Sequence, residues 1–178
     1  MLMPRARNLL TPVFLALVAS AAAAGAAELP RVDVQGASGM CKAATAAFAA
    51  GTRYRPLGLA NESEGQIFVT CNWQGDDHQD SVRGSKRLYV AITNNGTTAK
   101  DYTCTLVNGH QTGVSIYAVY VPKTVSIAPG AGAELTWVPS EVSNAKPSGI
   151  DRPSLSCILP PSSTIQYTGR EYNEDVGA

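Results

Sequence analysis

Much of the familiar enzymatic vocabulary is missing from this chain. It has only two histidines, His78 and His110, and aromatic residues make up 7% of its 178 positions. No serine stands in a Gly-x-Ser-x-Gly elbow, which removes the strand-to-helix nucleophile of the α/β-hydrolases. Its four cysteines lie far apart, and none forms the Cys-x-x-Cys pair of redox enzymes. The 14 Lys and Arg residues are scattered and matched by 14 Asp and Glu. Nucleic acid would need a basic stripe, and there is none. No long stretch carries a helical period, and no repeat is visible beyond two similar cysteine-bearing segments. After the first 26 residues no apolar run approaches the ~20 residues of a membrane span.

The N-terminus reads as an export signal. Arg5 and Arg7 precede the apolar run Leu9–Val18, broken only by Thr11 and Pro12, and small residues follow at Ala24-Gly25-Ala26. That order is a secretory leader with cleavage expected after Ala26 or Ala27. Removing the two arginines leaves 12 basic against 14 acidic residues. An exported chain with an even number of cysteines is expected to form two disulfides in an oxidising compartment, the periplasm or the medium. Residues 28–170 are then long enough for one domain with a sizeable core, and Glu171–Ala178 reads as an acidic tail that frays.

Within the domain the period is two. In Asp101–Asn108, Tyr102, Cys104 and Leu106 share one face, and Leu155-Ser-Cys157-Ile-Leu159 repeats the pattern. Arg87–Asn94 places Leu88, Val90 and Ile92 on one face. Gln66–Trp73 places Ile67, Val69, Cys71 and Trp73 inward, with Phe68 as the exception. Further strands are expected at Arg55–Asn61, Val114–Val121, Thr124–Ala128, Ala133–Val138 and Ser163–Arg170, and residues 28–39 read as an edge strand or a loose arm. Val114–Val121 is apolar on both faces and reads as a central or interfacial strand stopped by Pro122. Turn signals stand at Asn61–Gly65, Asn94-Asn95-Gly96 and Asn108-Gly109. The alanine-rich Ser38–Gly51 supplies at most one short helix, near residues 39–50. Eight to nine short strands at regular spacing specify an all-β fold, an antiparallel two-sheet sandwich of Greek-key or jelly-roll type.

The pairing follows from spacing. If Gln66–Trp73, Arg87–Asn94 and Asp101–Asn108 form a meander, Cys71 and Cys104 lie two strands apart, roughly 9–10 Å. A disulfide needs Cα atoms within about 7 Å. That excludes Cys71–Cys104 and with it Cys41–Cys157. Of the two remaining sets, Cys41–Cys71 with Cys104–Cys157 is expected over Cys41–Cys104 with Cys71–Cys157, because Cys104 and Cys157 share the same inward setting.

The segments Leu57-Gly-Leu-Ala-Asn61, Val69-Thr-Cys71, Tyr102-Thr-Cys-Thr-Leu106 and Ser156-Cys-Ile-Leu-Pro160 resemble a loose group of small secreted bacterial proteins with disulfide-bonded β-sandwiches. The resemblance covers most of residues 40–170. Asn72 stands where that group has proline after the second cysteine. It implies the sandwich fold and no particular activity.

Candidate sites are few. Asp76, Asp77, His78 and Asp80 are metal-ligand types, but their spacing matches neither an EF-hand nor a zinc motif. They read as a solvated turn, and no cofactor is expected. Tyr89 and one of Tyr117 and Tyr120 are expected to face outward, where tyrosines bind glycan or protein. The first expectation for function is an exported, non-catalytic binding or envelope module. One alternative is a small secreted hydrolase using a loop-borne His78 or His110; another is a carbohydrate-binding or enzyme-inhibitor module. The loops Gln74–Lys86 and Pro139–Arg152 decide between them. A pocket with histidine, carboxylate and serine favours the enzyme, and a tyrosine-bearing surface favours binding.

Overall fold

The computed structural model describes residues 28–73 and 84–176. The leader and the Asp76, Asp77, His78 and Asp80 cluster lie outside the described residues. The described residues form eleven strands: β1 (Glu28–Gly36), β2 (Cys41–Ala43), β3 (Thr52–Arg55), β4 (Gly58–Asn61), β5 (Ile67–Asn72), β6 (Arg87–Asn94), β7 (Lys100–Thr112), β8 (Ser115–Ile127), β9 (Gly132–Trp137), β10 (Pro153–Leu159) and β11 (Ser163–Asp175). They form an antiparallel two-sheet sandwich. One sheet has the order β3-β4-β11-β6-β9, with β1 also paired to β11, and the other has the order β2-β5-β10-β7-β8.

Alternation builds the core. Leu88, Val90 and Ile92 from β6 meet Ile67, Val69, Tyr102, Leu106, Leu155 and Leu159 from the opposite sheet, all buried. Each such aliphatic side chain contributes roughly 1.5–3 kcal/mol on leaving water. The polar atoms of the large aromatics are used to tie the sheets together. Trp73 Nε1 donates to the Gly169 carbonyl at 3.0 Å, Trp137 Nε1 donates to the Val121 carbonyl at 2.9 Å, and Tyr102 Oη lies 2.8 Å from Ser163 Oγ. The disulfides are Cys41–Cys71 and Cys104–Cys157. Both join residues directly opposite one another on neighbouring strands of the second sheet.

Several expectations are corrected by the pairing. β6 does not lie between β5 and β7, because it belongs to the other sheet. The strand that separates Cys71 from Cys104 is β10. Asn94-Asn95-Gly96 is therefore a crossover between sheets and not a hairpin. The buried Asn94 donates to the Thr98 and Ile127 carbonyls and accepts from Gly96 N. The single helix is replaced by two one-turn helices, α1 (Ala37–Met40) and α2 (Ala46–Ala49), on either side of β2. A helix that short is marginal by itself, and pairing with β5 while burying Cys41 outweighs alanine propensity. α2 sets Phe48 against Phe68, with centroids 5.5 Å apart, which covers the one outward phenylalanine.

β8 is an edge strand and not a central one, and it runs through Pro122. Gly109 N bonds to Arg152 on the β10 side, so the odd-numbered residues of β7 point away from β8. Thr105 opposite Pro122 is then a non-hydrogen-bonded pair. The proline nitrogen faces the free edge, where no donor is required. At the C-terminus β11 continues to Asp175 because β1 pairs with it from Glu28 to Gly36. Glu171–Asp175 is thus strand, where a fraying tail was expected.

Candidate functional site

The β7–β8 hairpin is longer than the sandwich it belongs to, with pairing that runs from Lys100–Ile127 to Thr112–Ser115. The inward face of β7 is buried up to Asn108 and then leaves the core. Gly109 makes the exit. Its φ of 151° lies outside ordinary L-residue space, and a Cβ there would collide with the Tyr117 carbonyl. Beyond it His110 and Tyr117 are cross-strand partners whose rings stack, with centroids 5.4 Å apart and planes 24° apart. Both side chains are exposed, Tyr117 at 59%.

The segment after β9 closes the other side. It begins with a 3-10 turn, Pro139–Glu141, and is anchored in the core by Val142 and Ile150. Glu141 accepts from Lys123 Nζ at 2.6 Å and from Val138 N at 3.0 Å. The lysine bond outweighs burial and holds that carboxyl below its usual range. The buried Asn108 joins hairpin and loop. Its amide donates to Asn144 Oδ1 (3.0 Å) and Asp151 Oδ1 (3.3 Å), its carbonyl accepts from Asn144, and its Oδ1 accepts from Arg152 N at 2.9 Å. Asp151 also meets Lys146 Nζ at 3.0 Å. Burial alone would raise this carboxyl, but the bond and charge of Lys146, with the Asn108 amide, outweigh it and hold it below the usual range.

These parts enclose a cleft of about 310 Å³, at the small end of the ~300–1,000 Å³ of ligand sites. The stacked rings form one wall, and Asn144, Lys146, Asp151 and Arg152 form the other. A second cleft of about 430 Å³ lies by Asn61, Glu62, Asn95 and Ser162. It has no aromatic wall, its Asn61 amide is spent on the Gly65 and Leu159 carbonyls, and Arg55 there is paired with Glu62. The first cleft is the better candidate on chemistry.

The sequence candidates fall in three places. Tyr89 is on the outward face, as alternation requires, but it is buried and is not a free binding ring. It lies over Gly169, where a Cβ would collide with its ring, and it meets the Tyr167 ring edge-on at 6.2 Å. The Arg87 guanidinium sits 4.7 Å from the Tyr89 centroid and bonds to Glu171 and Glu134, while Tyr167 donates to Glu134 at 2.9 Å. That cluster satisfies itself, and burial raises the Tyr89 phenol. Tyr117 and Tyr120 are both exposed, not one of the two: Tyr120 lies on the outer face opposite Val107, and Tyr117 lies beyond Asn108, where the inward face of β7 leaves the core. They stand on opposite faces of β8, and only Tyr117 lines the cleft. His110 lines the cleft together with Asp151, and no serine lines it among the described residues. Asn108, Asn144, Lys146, Asp151 and Arg152 escaped sequence reasoning. The available signal was Asn108, a polar residue continuing the inward series Tyr102, Cys104, Leu106.

Searches against protein-family models and against curated proteins find no match for this chain. Solved structures similar to it include two carbohydrate-binding modules. One is the carbohydrate-binding module CBM28, specific for non-crystalline cellulose, at a TM-score of 0.36 and 17% identity over 62% of this chain and 64% of that one. The other is a family 11 carbohydrate-binding module from Clostridium thermocellum, in complex with a β-1,3-1,4-mixed-linked tetrasaccharide, at a TM-score of 0.36 and 10% identity over 83% of this chain and 86% of that one. The chain spans under two thirds of the CBM28 length. Neither likeness is close enough to assign a ligand.

Proposed function

We propose that the protein is an exported, non-catalytic binding module whose ligand is a saccharide held in the cleft between the β7–β8 hairpin and the 138–152 loop. The observation that carries this reading is the stacked His110–Tyr117 pair, exposed on one wall and facing hydrogen-bonding side chains on the other. A sugar ring has an apolar face and a rim of hydroxyls. A flat aromatic wall takes the first, and amides and charged groups take the second. The rings come from a paired hairpin and the opposing groups from a loop pinned by Asn108, so the site is largely formed before ligand arrives, which limits the ordering cost of binding. Export accords with the leader-like N-terminus and with two buried disulfides.

A glycan array followed by calorimetry on the hits tests the reading. Tyr117→Ala is expected to weaken binding at least tenfold without lowering the melting temperature by more than a few degrees. The reading is lost if no glycan is retained, or if Tyr117→Ala binds like the parent. Turnover of ester, peptide or glycoside substrates abolished by His110→Ala would replace it with the hydrolase.

A further inference from the structure

The charges of the cleft say more about the ligand than its shape does. Two cations, Lys146 and Arg152, face one carboxylate, Asp151. That carboxylate is already engaged by Lys146 at 3.0 Å and by the Asn108 amide at 3.3 Å. Asn144 is likewise engaged, donating to and accepting from Asn108. The Arg152 guanidinium is different: it lines the cleft and has no hydrogen bond or ion pair among the described residues. Its backbone is fixed on both sides, with its N–H on Asn108 Oδ1 at 2.9 Å and its carbonyl on Gly109 N at 3.1 Å. The base of this side chain is therefore tied to the same Gly109 that begins the aromatic wall.

Resting on the cleft as the saccharide site, we infer that the ligand is an acidic saccharide, a uronate-bearing glycan whose ring lies on Tyr117 and His110 and whose carboxylate pairs with the Arg152 guanidinium. Arginine suits this role because its planar fork meets a carboxylate with two parallel N–H···O bonds. Lys146 adds positive potential while held by Asp151. A neutral sugar would use the aromatic wall but leave the guanidinium to water. Part of the affinity is therefore electrostatic and falls as salt rises.

The test is calorimetry of the purified protein with tetrasaccharides of galacturonate, of mannuronate and guluronate, and of hyaluronan. Each is paired with its fully methyl-esterified form, and cellotetraose is the neutral control. At least one acidic oligosaccharide is expected to bind ten times more tightly than its ester, less so at 0.5 M salt. Arg152→Gln, on an exposed side chain, should erase that preference, bringing acid and ester affinities together, and Tyr117→Ala should weaken both forms together. If esters or cellotetraose bind as well as the acids and Tyr117→Ala still weakens them, the acidic assignment is overturned and the saccharide module stands. If no member of the panel binds, the acidic assignment falls, and the glycan array alone then decides the saccharide reading.

Discussion

Removing the Cys104–Cys157 bond by the double substitution Cys104→Ala and Cys157→Ala perturbs the folded state little and the unfolded state greatly. Both residues are fully buried, on directly paired positions of β7 and β10, and the ladder around them persists without the bond. The unfolded chain, however, regains the freedom of a loop spanning 53 residues. In the chain-entropy treatment that freedom is worth about 4.2 kcal/mol at 25 °C, and the corresponding figure for the 30-residue separation of Cys41–Cys71 is about 3.6 kcal/mol. The two loops neither nest nor overlap, so the effects should add. Their sum is comparable to the 5–15 kcal/mol of a typical domain. Each double variant is expected to fold with a lower urea midpoint and a steeper slope, since the uncrosslinked chain exposes more surface. The quadruple variant should be largely unfolded at 37 °C. Equilibrium urea unfolding by tryptophan fluorescence measures all three. A loss below about 1 kcal/mol for Cys104→Ala with Cys157→Ala, at unchanged slope, would refute the reasoning.

Three further outcomes follow from the packing. Gly169→Ala drives a methyl group into the Tyr89 ring and should destabilise by about 1–3 kcal/mol; adding Tyr89→Ala should recover part of that loss in a double-mutant cycle by urea unfolding. Asn108→Ala leaves Asn144 and Arg152 N without their partner and should cost about 1–3 kcal/mol, with a greater proportional loss in glycan affinity by calorimetry. Tyr89 and Tyr102 are raised mainly by burial, and Tyr167 by its bond to Glu134. A raised phenol keeps its proton longer in the folded chain, so its stabilising effect is whole below pH ~10 and falls as pH climbs from there through the folded values. Urea midpoints between pH 8 and 11 should decline only above about 10, and a flat profile would contradict the burial of these rings.

The strands were readable because one face of each is wet and the other dry, which writes a period of two into Arg87–Asn94, Asp101–Asn108 and Leu155–Leu159. Sheet membership was not readable. β6 and β7 are adjacent in sequence and carry the same pattern, and only three-dimensional pairing puts them in different layers. Pro122 looked like a stop because sequence does not reveal which side of a strand its nitrogen faces. Tyr89 looked free because alternation gives the face of a residue but not what lies over it. At the cleft, His110 and Tyr117 were visible as residue types. Their stacking depends on the hairpin register, and the opposing wall depends on one buried amide that gathers residues 144, 151 and 152 across more than thirty positions of chain.

The pairing of β1 with β11 has a mechanical consequence. Glu28 lies opposite Asp175 and Gly36 opposite Tyr167, so the two ends of the described chain leave the fold side by side. A force pulling them apart loads the ladder one hydrogen bond at a time, from Glu28 inward, like a zipper. Strand β1 should therefore peel at low force while the doubly crosslinked sheet stays intact. The same adjacency allows the ends to be joined by a short linker and the chain reopened elsewhere, at Gly130 for example, with every strand pair retained.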